Sequence, residues 1–191
     1  MVRFAPLAIL LLLCSRARAQ ETAVVTTPAL VSEADFPARA EWVTKWDNSL
    51  AYTLETLLAT TDGDLDFRPT AGQMTLREQF HHLATNIYFL TSTYVHSPVD
   101  FDLAARRETM SPTATRADLS VTLTTAYAFA KDAISELAEH RWNEPAPNFF
   151  AGEKSRRVVI YLLQDHATHH RAQTLVYLRI LGHEPPNYRG W

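Results

Sequence analysis

Val158-Val159-Ile160-Tyr161-Leu162-Leu163-Gln164-Asp165-His166-Ala167-Thr168-His169-His170-Arg171-Ala172-Gln173-Thr174-Leu175-Val176-Tyr177-Leu178-Arg179-Ile180-Leu181 decides the fold. It reads as one amphipathic helix, N-capped by Ser155 and stopped by Gly182 ahead of Pro185-Pro186. Val159, Leu163, Thr174, Tyr177, Leu178 and Leu181 recur at helical spacing. At about 100° per residue, His166 and His170 fall within roughly 60° of Leu163, inside the apolar stripe, and His169 lands roughly 120° away, at its edge. Two imidazoles one turn apart project nitrogens the same way, as two ligands of one metal require. The competing reading is a pair of core histidines hydrogen-bonded to polar neighbours.

The chain divides into three parts. Residues 1–19 read as a cleaved signal peptide: a basic start at Met1-Val2-Arg3, an apolar run from Phe4 to Cys14, and Ala17-Arg18-Ala19 as a small-x-small cleavage site. Residues 20–32 form a polar, Thr-rich, flexible lead, and residues 33–191 form the domain. The expected location is periplasmic or secreted, the mature chain beginning at Gln20 after cleavage behind Ala19. Cys14 is the only cysteine, so the mature chain has no disulfide, thiolate nucleophile or zinc–cysteine site. Cleavage leaves 15 basic against 21 acidic residues, a net charge of −6. That balance argues against nucleic acid and anionic membranes as partners, and no second apolar run approaches membrane length. A small-molecule substrate and a homodimer are both compatible with such a chain.

The domain is all-α: glycine is scarce, and no alternating run makes a convincing strand. The first helix is expected from Glu33 to Ala59, with Phe36, Trp42, Trp46, Leu50, Tyr52, Leu54 and Leu57 on its apolar side. Thr61-Asp62-Gly63-Asp64 ends it as a turn, since the Glu of a calcium loop is missing. The second helix is expected from Thr75 to Thr93, opened by a Thr75–Glu78 capping box. Tyr94 to Pro112 lacks sustained periodicity. The third helix starts near Thr115, capped with Asp118, and buries Leu119, Leu123, Ala126, Ala130, Ile134 and Leu137. Arg141 to Lys154 connects to the fourth. The link between helices two and three, roughly 21 residues, outreaches the second helix, which is about 28 Å long. It can therefore return along a four-helix bundle and leave those two helices parallel.

A metal site needs a third ligand. On the second helix His82 falls at the edge of the core stripe with Gln79 and Asn86 beside it, whereas His81 falls on the far, solvent side. Glu78-x-x-His81 is half of a di-iron motif, but the chain has no second Glu-x-x-His, and no Gly-x-Ser-x-Gly elbow marks a serine hydrolase.

His166-x-x-x-His170-Arg171-Ala172-Gln173, then Tyr177-Leu178-Arg179, Gly182 and Pro185-Pro186, resembles the last helix of the DinB/YfiT-like metal-binding proteins. Phe67-Arg68-Pro69 and the capped helix reaching His82-Leu83 resemble the second-helix region of that family. The resemblance covers most of the mature chain. It implies a four-helix bundle with up-down-down-up topology, and a divalent metal held by three histidines, which map to His82, His166 and His170. The family commonly has Arg-Gly-Gln where this chain has Arg171-Ala172-Gln173. Its members with an assigned activity are largely cytoplasmic and use low-molecular-weight thiols, so export argues against a thiol-transferase role here.

Three neutral imidazoles leave one to three positions on a divalent ion for water or substrate. Such an ion is a Lewis acid that activates water, with Asp165, Gln173 and Asn86 as candidates to orient the rings. Imidazole suits zinc, nickel, copper and iron alike. Two functions fit: a metal-dependent hydrolase or transferase, which needs a cleft leading to the metal, or a non-catalytic metal-binding bundle of the cell envelope, whose ion would be capped by side chains.

Overall fold

The computed structural model describes residues 38–97, 101–108 and 113–191. Among them are five α-helices and no strand beyond one isolated bridge, Pro145 to Ser155. They are α1 (Ala38–Leu58), α2 (Leu76–Leu90), the short α3 (Leu103–Glu108), α4 (Arg116–Glu136) and α5 (Arg156–Ile180). No described helix is long and apolar enough to cross a membrane. The expected start of the first helix, including Phe36, lies outside the described residues, as do the proposed signal peptide and lead.

Local chemistry sets the helix ends. Glu78 N–H donates to Thr75 Oγ1 at 3.1 Å while Glu78 Oε2 accepts from Thr75 N–H at 2.7 Å, so both orphan donors at the start of α2 are satisfied. Thr115 and Asp118 repeat the device at α4. Ser155 caps α5, and the helix ends in a Schellman turn: His183 N–H donates to Leu178 O and Gly182 N–H to Arg179 O, with Gly182 at φ 81°.

Side-chain bonds between elements give the topology. Arg39 donates to Leu137 O and Arg116 to Thr60 O, so α4 runs antiparallel to α1. Arg77 meets Ala114 at one end while His96 approaches Glu136 at the other, so α2 and α4 run parallel. Met74 faces Tyr177 and Val95 faces Arg156, which makes α2 and α5 antiparallel. α1 and α5 are therefore parallel. The order is up-down-down-up, with the link between α2 and α4 as the crossover. α1 and α2 each pack on both α4 and α5 and occupy opposite corners of the bundle.

The core fills as the apolar stripes dictate, with Trp46, Leu57, Phe80, Leu83, Leu123, Ile134 and Leu163 essentially inaccessible. Three findings depart from the sequence reading. First, the crossover carries a helix of its own: Asp102 Oδ1 accepts from Ala104 N–H and Ala105 N–H to start α3, and Phe101 stacks on Phe129 with ring centroids 4.2 Å apart. Second, α2 continues as a π turn, Thr91–Val95, closed by His96 N–H donating to Thr91 O. Third, the link before α5 contributes Trp142, 1% exposed, to the core from a 3₁₀ turn at Glu139–Asn143.

α1 also buries Ser49, Thr53 and Thr56 on its core side. Thr53 and Thr56 each donate to the carbonyl four residues back, at 2.7 Å. Opposite them lie the Tyr127 hydroxyl, 3.2 Å from both Ser49 and Thr53, and the Arg171 guanidinium, which donates to Ser49 Oγ at 2.8 Å and covers the Tyr52 ring. Burial pushes the Arg171 pKa down, and the neighbouring Tyr127, Tyr52 and Tyr188 oppose that shift.

Candidate metal centre

Antiparallel packing of α2 on α5 sets one face of each at the same height. His82 comes from α2, and His166 and His170 come from successive turns of α5. The three rings lie 4.4 to 5.1 Å apart, centroid to centroid. One ring nitrogen from each lies within 4.8 Å of the other two, a span that an ion with bonds of about 2 Å closes by small side-chain rotations. Among the described residues this is the one group of three or more His, Cys, Asp or Glu placed to hold a metal.

The protonation states suit a metal. Burial first, then the neighbouring His82 and His169, pushes His166 down to about 4. Burial, then His166, His82 and His169, pushes His170 down to about 3, and burial followed by His169 lowers His82. The rings are therefore neutral at pH 7 with lone pairs available. His166 Nε2 is buried and has no hydrogen-bond partner, so its lone pair is unused by the protein, as a metal-binding nitrogen requires.

A chain of hydrogen bonds fixes which nitrogen of His170 is free. The Tyr177 hydroxyl donates to the Met74 carbonyl, which can only accept, at 3.1 Å. Its oxygen must then accept from Gln79 Nε2, 3.4 Å away, and that amide also donates to Gln173 Oε1 at 2.6 Å. Gln79 Oε1 consequently faces His170 Nδ1, at 2.6 Å, and accepts a hydrogen bond from its N–H. Nε2 of His170 is left with its lone pair free to bind a metal. Gln173 closes the chain by donating to His169 Nε2 at 2.7 Å.

Gln79 is the residue that sequence reasoning undervalued. It sits one turn before His82 on the same side of α2, a spacing that was visible, but its partner on α5 was not. Of the expected orienting residues, Gln173 acts through Gln79. Asn86 Oδ1 is buried without a partner, and Asp165 is exposed, on the wall of a separate cavity with Trp42 and Tyr161.

His81 is not on a solvent face. It is half-buried, with its Nε2 inaccessible, in a recess that His82 also lines. The segment before α2 overhangs the first turns of the helix, and Ala71, Gly72, Gln73 and Met74 form the opposite wall of that recess. A helical wheel knows nothing of such a cover. His169 stays exposed at the rim, with its ring edge against His170. His96 and His183 lie elsewhere, beside Glu136 and Asp64. Glu78 is held by its cap and by Arg68 at 3.6 Å, which leaves no role for it in a di-iron site.

The profile of the DinB family matches residues 35–190. The chain belongs to the DinB family. Solved structures similar in fold to this DinB chain include a DinB-like protein from Bacillus subtilis, YjoA, at 19% identity and TM-score 0.62, covering 79% of this chain and 99% of that one. A DinB-like protein from Bacillus cereus matches at 20% identity and TM-score 0.62, over 78% of this chain and 96% of that one. YfiT from Bacillus subtilis, described as a probable metal-dependent hydrolase with an unusual four-helix bundle topology, matches at 17% identity and TM-score 0.57, over 82% and 93%. No curated protein matches significantly.

Proposed function

We propose that this DinB protein is a divalent-metal-dependent hydrolase of a small substrate, with His82, His166 and His170 as the protein ligands. The supporting observation is the meeting of three neutral imidazoles where two recesses open. One, about 490 Å³, is lined by His82, and the other, about 630 Å³, by His170. A structural ion would be enclosed; here two of the three rings, His82 and His170, each line a recess that opens at the surface. When bound, the ion would supply Lewis acidity and lower the pKa of its water. The chain's own share is to hold three lone pairs in place, with Gln79 fixing one tautomer, and to wall the approach with the segment before α2.

Elemental analysis of protein from its native compartment names the metal among zinc, nickel and iron. The metal-loaded protein is then assayed on a panel of small esters, amides and phosphoesters. Turnover that a chelator abolishes, and that His82→Ala, His166→Ala and His170→Ala all lack, is the expected result. No bound metal, or turnover indifferent to chelator, overturns the reading. The chain is further proposed to be exported, on the tripartite pattern of residues 1–19.

A further inference from the structure

We infer that the substrate is amphipathic, with a head group at the three histidines and an apolar arm lying outward along α5. The inference rests on the open metal site proposed above and adds the chemical class of its ligand. The recess that contains His170 continues along α5 past Gln173 to Val176, Tyr177 and Ile180. Positions 170, 173, 177 and 180 form one helical stripe, and its rise from the ligand to Ile180 is about 15 Å. Val176 is 51% exposed and Ile180 56%, and Met74 faces the same recess from the segment before α2 at 38%.

Single exposed apolar side chains are ordinary on any protein. Three of them lining one recess that begins at a metal-ligand candidate are a different arrangement. The recess on the other side shares Met74 but carries Arg68, Glu78 and His81 where this one has Val176 and Ile180. An apolar arm therefore has one favourable exit from the metal, and it is along α5.

The test uses zinc-loaded protein and hydroxamates, whose head chelates the ion and whose acyl chain is the variable. Affinities of acetyl, butyryl, octanoyl and dodecanoyl hydroxamate are measured by calorimetry. The expected gain is about two- to fourfold per methylene for area leaving water. Val176→Asp and Ile180→Asp, both at exposed positions, should cut the dodecanoyl-to-acetyl ratio at least tenfold. Val121→Asp, 68% exposed on α4, should leave it intact. If acetohydroxamate binds and longer chains bind no better, or if the two α5 variants keep the ratio, this inference is overturned alone. If acetohydroxamate does not bind the zinc-loaded protein at all, the open-metal reading fails and takes this inference with it.

Discussion

Gln79 Oε1 accepts a hydrogen bond from His170 Nδ1–H across 2.6 Å, joining α2 to α5 beside the three clustered histidines. The bond is the last in a series that begins at the Met74 carbonyl, so the tautomer of His170 is set by the backbone of the segment that roofs the site. Removing such a partner typically costs 10- to 100-fold in metal affinity. Gln79→Leu should show a loss of that size in competition with a chromophoric chelator. Gln79→Glu, which still accepts from Nδ1, should lose much less. Equal losses in both variants would mean that the bond does not orient the ring.

Neighbouring histidines should separate cleanly. His82→Ala, His166→Ala and His170→Ala should each remove most metal affinity in calorimetric titration, while His81→Ala leaves it nearly unchanged and His169→Ala has a mild effect. Residues one apart on a helix point roughly 100° apart, so His81 and His82 cannot both enter the triad. Helix content should persist in all five variants. Loss of binding in His81→Ala with retention in His82→Ala would place the wrong face of α2 at the metal.

Acidity should destabilise the metal-free protein. In the unfolded chain these histidines titrate near 6.5, whereas in the fold His166 does so at about 4 and His170 at about 3. Between those values the unfolded state binds more protons, so stability is complete above pH 6.5 and is lost as pH falls towards 4 and 3. With chelator present, the melting temperature should fall from pH 7 to pH 4.5 more steeply in the wild type than in His166→Asn. At pH 7.5 divalent metal should raise the melting temperature, and the increment should fade as protons reach the ligands between pH 5 and 4. Superimposable curves with and without metal at pH 7.5 would count decisively against a metal site.

Two buried tryptophans should respond differently to phenylalanine. Trp46 Nε1 donates to Tyr127 O at 3.0 Å, whereas Trp142 Nε1 is buried without a partner. Both lose packing, but only Trp46→Phe also loses a hydrogen bond, worth about 0.5–1.5 kcal/mol net. Urea unfolding should show Trp46→Phe to be the costlier change by about 1 kcal/mol.

Export predicts a mature N-terminus at Gln20 in the envelope or medium of a Gram-negative-type cell. Recovery of Met1 from the cytoplasmic fraction by N-terminal sequencing would defeat it.

Much of the bundle was legible because its signals are local. Thr75 with Glu78, Thr115 with Asp118, and Ser155 announce helix starts by chemistry that acts over three residues. The juxtaposition of His82 with His166 and His170 followed from helical angles, together with a family resemblance that supplied the pairing of helices. Non-local features were not legible. Trp142 enters the core because a 3₁₀ turn folds back under α5, and no period of 3.6 marks a five-residue turn. The π turn at Thr91–Val95 leaves no sequence pattern. His81 was misplaced because its cover comes from outside the helix.

Gly72, Gln73 and Met74 border both recesses. The histidines stand on helices locked by a packed core, while the partition between the two approaches is a short stretch of irregular backbone. In the proposed hydrolase, the residues that would hold the metal and those that wall its approaches thus come from separate pieces of chain. Side-chain substitutions in that partition can reshape what enters from either side as long as the Met74 carbonyl keeps its place, so descendants of this fold could change substrate while keeping the proposed chemistry.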